Sequence, residues 1–299
     1  MIFLRDRNLD MRQIADSGQV FRFTEESPGR FLVRARDRKL VITDLCSCVT
    51  DGLSEYAEVP AQYLRDGQFT GTVRGYLLDC SREEYEEFWK SYFDMDGDYA
   101  GFIRSVHKDD IFLTRAADYA SGIRILRQDP WEMLISFIIS QRKSIPAIRS
   151  SIEKLCERFG TDGAFPEPEA LAQATLAELR DCSVGYRDEY ILDAAAGVVS
   201  GEIDLKAMEE LSDGDLMKEL LKIKGVGVKV ANCVMLFGFH RIGAFPVDVW
   251  IKKVEDTCYG GHFPVEDYPG YAGVLQQYMF YAARVNGMDN LTEKPAEEN

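Results

Sequence analysis

Two patterns of hydrophobic and polar positions divide the chain. Residues 19–45 alternate apolar and polar side chains and contain a Ser-Pro-Gly break, which predicts antiparallel strands joined by a turn. Residues 67–78 show a weaker form of the same alternation. The acidic stretch Asp94–Gly97 that follows predicts a surface connection. The first pattern therefore predicts a β-rich module with some helix over residues 1–112.

From Asp129 onward the apolar positions recur at helical spacing. Asp129 followed by Pro130 marks a helix start, and the nearly all-apolar run after it predicts a central buried helix. The fold class is therefore α+β, an N-terminal antiparallel β-sheet module followed by a mostly α-helical domain over residues 113–288, with a disordered acidic tail at 289–299. Further helices are predicted over residues 145–160, 166–182, 188–199, 211–223, 228–239, 249–259 and 271–284.

Composition is that of an ordinary globular protein. Of 299 residues, 46% are hydrophobic and 28% are charged, and neither a long apolar run nor an apolar signal core is present. We therefore expect a soluble, cytoplasmic protein with no membrane partner. The cysteines are odd in number, 7 in all, which favours reduced thiols over a disulfide framework. Cys46 and Cys48 are too close together for a usual zinc pair.

The net charge of −15 argues against a nucleic-acid partner, because phosphate contacts need basic side chains. Charge can be segregated on a protein surface, however, so the local balance matters more than the sum. Between Leu221 and Lys253 the balance reverses, and Asp248 is the one acidic residue of the segment. The basic residues there are Lys222, Lys224, Lys229, Arg241, Lys252 and Lys253.

A turn of Gly225, Val226 and Gly227 joins two predicted helices. The glycines allow a tight turn and a close backbone approach, and the N–H groups at the start of the second helix are free to bind a phosphate oxygen. This shape is expected of a helix-hairpin-helix element that grips a DNA backbone. The residues alone leave a plain helical hairpin as an equal alternative. A nucleotide phosphate loop is excluded, because no strand precedes the turn.

Asp248 lies at the N-cap of the next predicted helix, after Pro246 and Val247. A simple cap is the commoner role of an aspartate at this position. The functional interpretation is a carboxylate kept ionised by the helix dipole at the edge of a cleft. Such a carboxylate is suited to stabilise a developing sugar oxocarbenium ion.

These motifs together resemble a known signature. The pattern Gly-Val-Gly-x-Lys-Val-Ala-x-Cys, with Pro-Val-Asp placing its Asp nineteen residues after the Lys, resembles the helix-hairpin-helix (HhH-GPD) DNA glycosylase superfamily. Within it the chain resembles the 8-oxoguanine DNA glycosylase/AP lyases of bacterial type. The segments Ser17–Arg22, Gly185–Arg187 and Tyr271–Gly273, with Gln276 and Phe280, match the same family in the same order.

The resemblance implies a base excision repair enzyme. Lys229 would attack C1′ of a flipped damaged nucleotide, Asp248 would assist, and a Schiff base would lead to β-elimination and a strand nick. The partner would be duplex DNA containing a damaged base, bound by a monomer that associates with the nucleoid when it acts. No cofactor is required. No iron–sulfur cluster is expected, because Cys258 alone among the cysteines follows Asp248.

The resemblance also assigns binding roles. Backbone carbonyls of the hairpin would hold a structural monovalent cation, Na⁺ or K⁺, and these belong to Leu221, Ile223 and Val226. The substrate-base pocket would be formed by Gly18, whose carbonyl accepts the N7–H of 8-oxoguanine, and by Phe21, Cys233, Gln276 and Phe280. The DNA-binding residues would be Gln141, Arg142, Tyr186, Arg187, Gly225, Gly227, Val228 and Trp250.

Three positions depart from the family pattern. Arg142 stands where an asparagine usually fills the gap left by the flipped base, and Ala147 stands where an arginine usually reads the opposite cytosine. Trp250 replaces a histidine. We therefore predict a looser preference for the opposite base than in the eukaryotic enzymes.

Two other functions remain open at this stage. One is a glycosylase of alkylated purines, of the 3-methyladenine type, in which Lys229 is incidental. The other is a non-catalytic DNA-binding protein that uses the hairpin alone. The spacing of Lys229 and Asp248 favours the bifunctional enzyme over both.

Overall fold

A five-stranded antiparallel sheet forms the centre of the N-terminal region, with strand order β1-β7-β4-β3-β2. It is seen in a computed structural model that describes residues 1–46, 59–65, 68–69 and 73–292. The strands β5 and β6 form a separate two-stranded ribbon. The strands are β1 (Ile2–Arg5), β2 (Phe23–Ser27), β3 (Arg30–Ala35), β4 (Arg38–Asp44), β5 (Leu64–Arg65), β6 (Gln68–Phe69) and β7 (Gly75–Leu78).

Helices make up most of the rest. Among the described residues, no helix is both long and apolar enough to cross a membrane. Those before residue 120 are α1 (Met11–Asp16), α2 (Arg82–Glu84), α3 (Lys90–Tyr92), α4 (Tyr99–Arg104) and α5 (Ile111–Tyr119). Those after it are α6 (Pro130–Ser140), α7 (Ile145–Phe159), α8 (Pro168–Ala172), α9 (Leu176–Asp181), α10 (Asp188–Ser200), α11 (Leu205–Met208), α12 (Asp213–Lys222), α13 (Val228–Phe237), α14 (Val249–Cys258), α15 (Ala272–Val285) and α16 (Met288–Thr292).

The predicted helix over residues 166–182 is wrong, because the structure has two short helices there. Thr175 begins the second one: its hydroxyl accepts from Glu178 N at 3.2 Å, and the Glu178 carboxylate accepts from Thr175 N at 2.9 Å. This reciprocal capping box satisfies the free N–H groups at a helix start, and so it favours a break over a continuous helix. The pattern also missed β1, a short strand at the edge of the sheet.

Helix α16 extends into the stretch predicted as a disordered tail. Leu291 is buried against the helical core, which explains why residues 289–292 are held in a helix. Residues 293–299 lie outside the described part of the chain, as do Ser47 and Cys48.

Two large hydrophobic cores and a third, much smaller cluster organise the described residues. The first joins the sheet to the helices before Met95, and the second begins near Tyr99 and includes the helices from α4 onward. The cores therefore divide somewhat before the predicted boundary at residue 112. The segment between α1 and β2 crosses from one core to the other: Val20 and Phe23 belong to the first core, and Phe21 belongs to the second.

A buried ion pair fixes this crossing segment to the helical domain. Arg22 Nη1 lies 2.9 Å from Glu132 Oε2, and both side chains are less than a tenth exposed. Arg22 also donates to the carbonyl of Gly163 at 3.0 Å. Burial raises the pKa of the Glu132 carboxyl although the guanidinium opposes the shift. The pair thus specifies the position of the segment more than it adds stability.

Asp94, predicted to lie on a surface connection, is buried instead. It accepts hydrogen bonds from Tyr99 Oη at 2.9 Å and from Arg127 Nη2 at 3.0 Å, and His240 Nε2 lies 3.5 Å away. Burial opposes ionisation, but the hydrogen bonds from His240 and Tyr99 and the charge of Arg127 lower the pKa of Asp94 to about 2. The carboxylate therefore links the end of the sheet module to the helical domain.

We predict that Asp94→Asn lowers the free energy of unfolding by about 2 kcal/mol at neutral pH, since the folded state holds this pKa below its ordinary value of 3.8. A depressed pKa contributes stability that is present above the unfolded pKa and is lost as the pH falls through the folded one. The difference between wild type and variant should therefore shrink below about pH 4 in urea titrations. Asp96→Asn, on an 82% exposed side chain, is the control. Equal losses in both variants would contradict the assignment.

Candidate active site

A cavity of about 780 Å³ opens between the crossing segment and the helical domain. Lys229 and Asp248, predicted as the catalytic pair, both line it. Its wall also includes Gly18, Phe21, Phe137, Ser140, Gln141, Arg142, Lys143, Ile145, Ile148, Val247, Val249, Lys252 and Phe280. The structure therefore brings together residues that lie more than two hundred positions apart in the chain.

Lys229 lies in the first turn of α13, on a mainly apolar wall. Its Nζ lies 5.4 Å from the centre of the Phe137 ring. Cys233 lies one helical turn further along α13. Burial raises the pKa of the Cys233 thiol, the charge of Lys229 lowers it, and Asp248 raises it. Both members of the predicted pair are thus close enough to act on the same thiol.

Asp248 caps α14. Its Oδ1 accepts from the backbone N–H groups of Trp250 at 3.0 Å and Ile251 at 2.9 Å. These two bonds fix the carboxylate at the positive end of the helix, facing the cavity. The structural role of a cap and the chemical role of a held anion are therefore compatible in one side chain.

Two other lysines line the cavity, and each is engaged elsewhere. Lys252 Nζ lies 2.7 Å from Asp256 Oδ1, and this hydrogen bond raises the pKa of Lys252. Lys143 Nζ donates to Ser151 Oγ and to the carbonyl of Ser183, both at 2.5 Å. Lys229 makes no such contact with a carboxylate or carbonyl oxygen among the described residues. It is therefore the lysine best placed to act as a nucleophile.

The crossing segment supplies one side of the pocket. Gly18 has a φ of +76°, and a Cβ there would lie 3.1 Å from Ile145 Cδ1 and 3.4 Å from Phe280 Cε1. Gly18 is thus in close contact with the aromatic ring predicted to stack on the base. Phe21 packs edge-on against Phe137 at 5.7 Å. Gly18 and Phe21, three positions apart, therefore both face the cavity.

Cys233 and Gln276 lie behind the cavity wall. Both are 3% exposed. Gln276 Nε2 donates to the carbonyl of Pro246 at 2.9 Å, and its Oε1 accepts from Gln277 at 3.0 Å. Gln276 therefore holds the loop that presents Asp248, and its contact with a base edge stays a prediction.

The Gly-Val-Gly turn adopts the predicted hairpin between α12 and α13. Gly225 has a φ of +84°, and a Cβ there would lie 2.4 Å from the Tyr190 ring, so the protein's own packing requires glycine. Gly227 differs, because a Cβ there would meet nothing within 4 Å. No side chain caps α13, and Val228 is 63% exposed. The open N-terminus is thus accessible to a phosphate group.

Of the predicted DNA-binding residues outside the hairpin, Gln141 and Arg142 line the cavity, whereas Tyr186 and Arg187 are not part of its wall. Arg142 is exposed at a φ of +52°, and Tyr186 is 54% exposed. Arg187 is buried and donates to the carbonyls of Val184 and Gln141. Gln141 Nε2 in turn donates to the carbonyl of Gly225 at 3.1 Å. Arg187 therefore positions this loop, and direct DNA contacts of Arg187 and Gln141 stay a prediction.

The local charge reversal predicted over residues 221–253 is wrong for the folded surface. Acidic residues of the same or neighbouring helices neutralise most of these bases. The pairs are Lys222 with Glu219 at 2.7 Å, Lys224 with Asp193 at 2.7 Å, Lys252 with Asp256 at 2.7 Å and Arg241 with Asp213 at 3.6 Å. A count along one segment could not include partners supplied by α10 or by the same helix one turn away.

Several lining residues were not predicted. Val247 and Val249 flank Asp248 with exposures of 38% and 80%, and exposed valines beside a cleft mark a contact surface. Phe137 and Ile145 form its apolar wall. Valine and isoleucine carry no chemical signal in a sequence, and Phe137 lies in an all-apolar helix where packing is the default role.

Family models match the chain in two consecutive parts. The model described as 8-oxoguanine DNA glycosylase, N-terminal domain, matches residues 1–134. The model described as HhH-GPD superfamily base excision DNA repair protein matches residues 135–262. A relative from Methanothermobacter thermautotrophicus, a probable N-glycosylase/DNA lyase, is 29% identical over 94% of this chain and 95% of its own.

Solved structures agree with this result. MBOgg1 in complex with a low-affinity DNA ligand is 31% identical, with a TM-score of 0.79, over 96% of this chain and 100% of that one. The Clostridium acetobutylicum 8-oxoguanine glycosylase/lyase, bound to DNA with cytosine opposite 8-oxoG, is 29% identical with a TM-score of 0.80, over 96% and 99%. The chain therefore belongs to the 8-oxoguanine DNA glycosylase family of the HhH-GPD superfamily of base excision DNA repair proteins.

Proposed function

We propose that this protein removes 8-oxoguanine from duplex DNA and then nicks the strand as an AP lyase. The observation that carries the proposal is the placement of Lys229 and Asp248 on one cavity beside an open hairpin. The names of the relatives with full-length matches, which are N-glycosylase/DNA lyases, support the same activity.

The reaction follows from the two side chains. The damaged nucleotide leaves the base stack and enters the cavity. Lys229 Nζ, once it has lost a proton, forms a bond to C1′ as the glycosidic bond breaks and its electrons leave with the base. Asp248 stabilises the positive sugar and receives the proton from the lysine. The adduct opens to a Schiff base, and loss of a C2′ proton then breaks the bond from C3′ to oxygen.

The pocket accounts for recognition of the oxidised base. The Gly18 carbonyl accepts the N7–H that 8-oxoguanine has and guanine lacks, and Phe280 stacks on the ring. Guanine would present a lone pair to the same carbonyl, which leaves both groups unpaired. The contact between Gly18 and Phe280 keeps these two elements of recognition together.

The protein acts as a monomer and without a redox cofactor. A monovalent cation at the hairpin would stiffen the turn. Its ligands would be the carbonyls of Leu221, Ile223 and Val226, which lie at or beyond the C-terminal end of α12, where carbonyl dipoles favour a cation. The Ile223 carbonyl accepts from Val226 N at 3.0 Å and keeps a second lone pair for such a ligand.

Borohydride trapping tests the proposed chemistry. Duplexes carrying 8-oxoguanine, a 3-methyladenine-type lesion or uracil are incubated with the protein and reduced. We expect a covalent adduct with 8-oxoguanine DNA that Lys229→Gln abolishes. Asp248→Asn, which retains the N-cap, should slow excision by about 10²- to 10³-fold.

Lys206→Gln, on an exposed lysine of α11, is the matched control and should trap as wild type does. Release of an alkylated base without trapping would replace the proposal with an alkylpurine glycosylase. DNA binding without release of any base would leave a non-catalytic binding protein.

Gly18→Ala tests the base pocket. An alanine here must adopt a φ of +76°, and its Cβ would press on Ile145 and Phe280. We therefore expect single-turnover excision to slow by about tenfold or more. Cleavage of a preformed abasic site should fall less, because no base enters the pocket. Gly214→Ala, whose Cβ meets nothing within 4 Å, is the control. Equal losses on both substrates would show that Gly18 does not act through the base.

The base opposite the lesion should have little effect on the excision rate. With Arg142 and Ala147 in place of the family's residues, we expect excision rates opposite C, A, G and T to lie within about tenfold of each other, because a bidentate side chain that reads cytosine is absent. Ala147→Arg should raise the preference for cytosine. A steep preference already present in the wild type would contradict this prediction.

A further inference from the structure

A cluster of basic side chains lies at the edge of the cavity, next to Gln141, whose side chain bonds to the hairpin. Lys143 Nζ lies 2.5 Å from the Ser183 carbonyl, and Lys154 Nζ lies 2.8 Å from Ser183 Oγ. Arg142 is exposed next to Lys143, and the charges of Arg187 and Lys154 act on Lys143. We call these four residues around Ser183 the Ser183 cluster.

The Ser183 cluster has no carboxylate partner among the described residues. This is unusual in a chain of net charge −15, in which the bases near the hairpin are paired with acids. The adjacent carboxylate, Asp188, lies 2.5 Å from Arg180 instead. Like charges held together without a counter-ion are unfavourable, so the cluster is suited to an anionic ligand.

The backbone of the same turn is shaped for an anion. Ser183 and Gly185 have φ values of +62° and +63°, and Val184 between them is right-handed. Alternation of the two hands turns successive N–H groups toward one concave side, and of these the Ser183 N–H already donates to the Arg180 carbonyl at 2.8 Å. A left-handed conformation is uncommon for serine, and such conformations concentrate at functional sites.

We propose that the Ser183 cluster binds a backbone phosphate of the DNA duplex, through Lys143 and Lys154. This inference rests on the proposed function and adds a second phosphate site, distinct from the N-terminus of α13 at the hairpin. Lys143 lines the cavity itself, so a phosphate bound there would lie beside the nucleotide that enters it.

The two ammonium groups have donors to spare. Each has three N–H bonds, and Lys143 uses two of them while Lys154 uses one. Burial, followed by the charges of Arg187 and Lys154, lowers the pKa of Lys143. A phosphate would relieve this repulsion, so the site gains more from an anion than an exposed lysine would.

The test is the salt dependence of binding to a duplex with a stable abasic analogue, which requires no chemistry. Lys143→Met and Lys154→Met should each weaken binding by about three- to tenfold and reduce the slope of log K against log salt by about 1. Lys154 is exposed and makes one hydrogen bond, so its replacement leaves the fold intact, as a thermal melt would verify. Lys218→Met, on a lysine of α12 paired with Asp215, is the matched control.

A single neutral methylphosphonate, placed in turn at each backbone position, then locates the phosphate. At one position the methylphosphonate should weaken binding by the wild type but not weaken binding by the Lys143→Met/Lys154→Met double variant any further. Slopes and affinities of the two single variants equal to those of Lys218→Met would overturn the proposal, as would independent losses at every position. Because the probe has no damaged base, this result is separate from failure to excise 8-oxoguanine.

Discussion

The site depends on how one short segment is held between two cores. The segment from Ser17 to Arg22 contains both anchors and pocket residues: Gln19 and Arg22 bond to the scaffold, while Gly18 and Phe21 face the cavity. Gln19 satisfies both ends of its amide with backbone groups of Arg124 and Leu126, so the register of the segment is fixed. A shift by one residue would break the hydrogen bonds of Gln19 and the ion pair of Arg22, and it would move Gly18 and Phe21 out of their places on the cavity wall.

On the wall that carries Asp248, single residues likewise have two roles. Asp248 is at once a helix cap and the carboxylate of the cavity, and Gln276 holds the loop before it through the Pro246 carbonyl. Gly225 is required by Tyr190, whereas Gly227 leaves the start of α13 open. Groups that fix the backbone therefore also position the reactive side chains. Lys229 and Asp248 are thus oriented before DNA binds.

The sequence predicted correctly those features whose conformation depends on neighbouring residues in the chain. The Gly-Val-Gly turn, the cap at Asp129 and the alternation of β2 to β4 all depend on neighbours in the chain, and the structure has them. The predictions about Asp94 and the bases after Leu221 were wrong because their partners come from distant elements. Arg142 and Arg187 were predicted to bind DNA, but Lys143 and Lys154 were missed for the same reason, since Ser183, which both lysines contact, lies about thirty to forty residues further along the chain.

Three lysines line the cavity, and in the proposed reaction Lys229 is the one that forms the bond to DNA. The most direct measurement is mass spectrometry of the peptide that carries the sugar after borohydride reduction of the wild-type complex with 8-oxoguanine DNA. We expect a deoxyribose adduct on Lys229 alone. An adduct on Lys143 or Lys252, which line the same cavity, would contradict it.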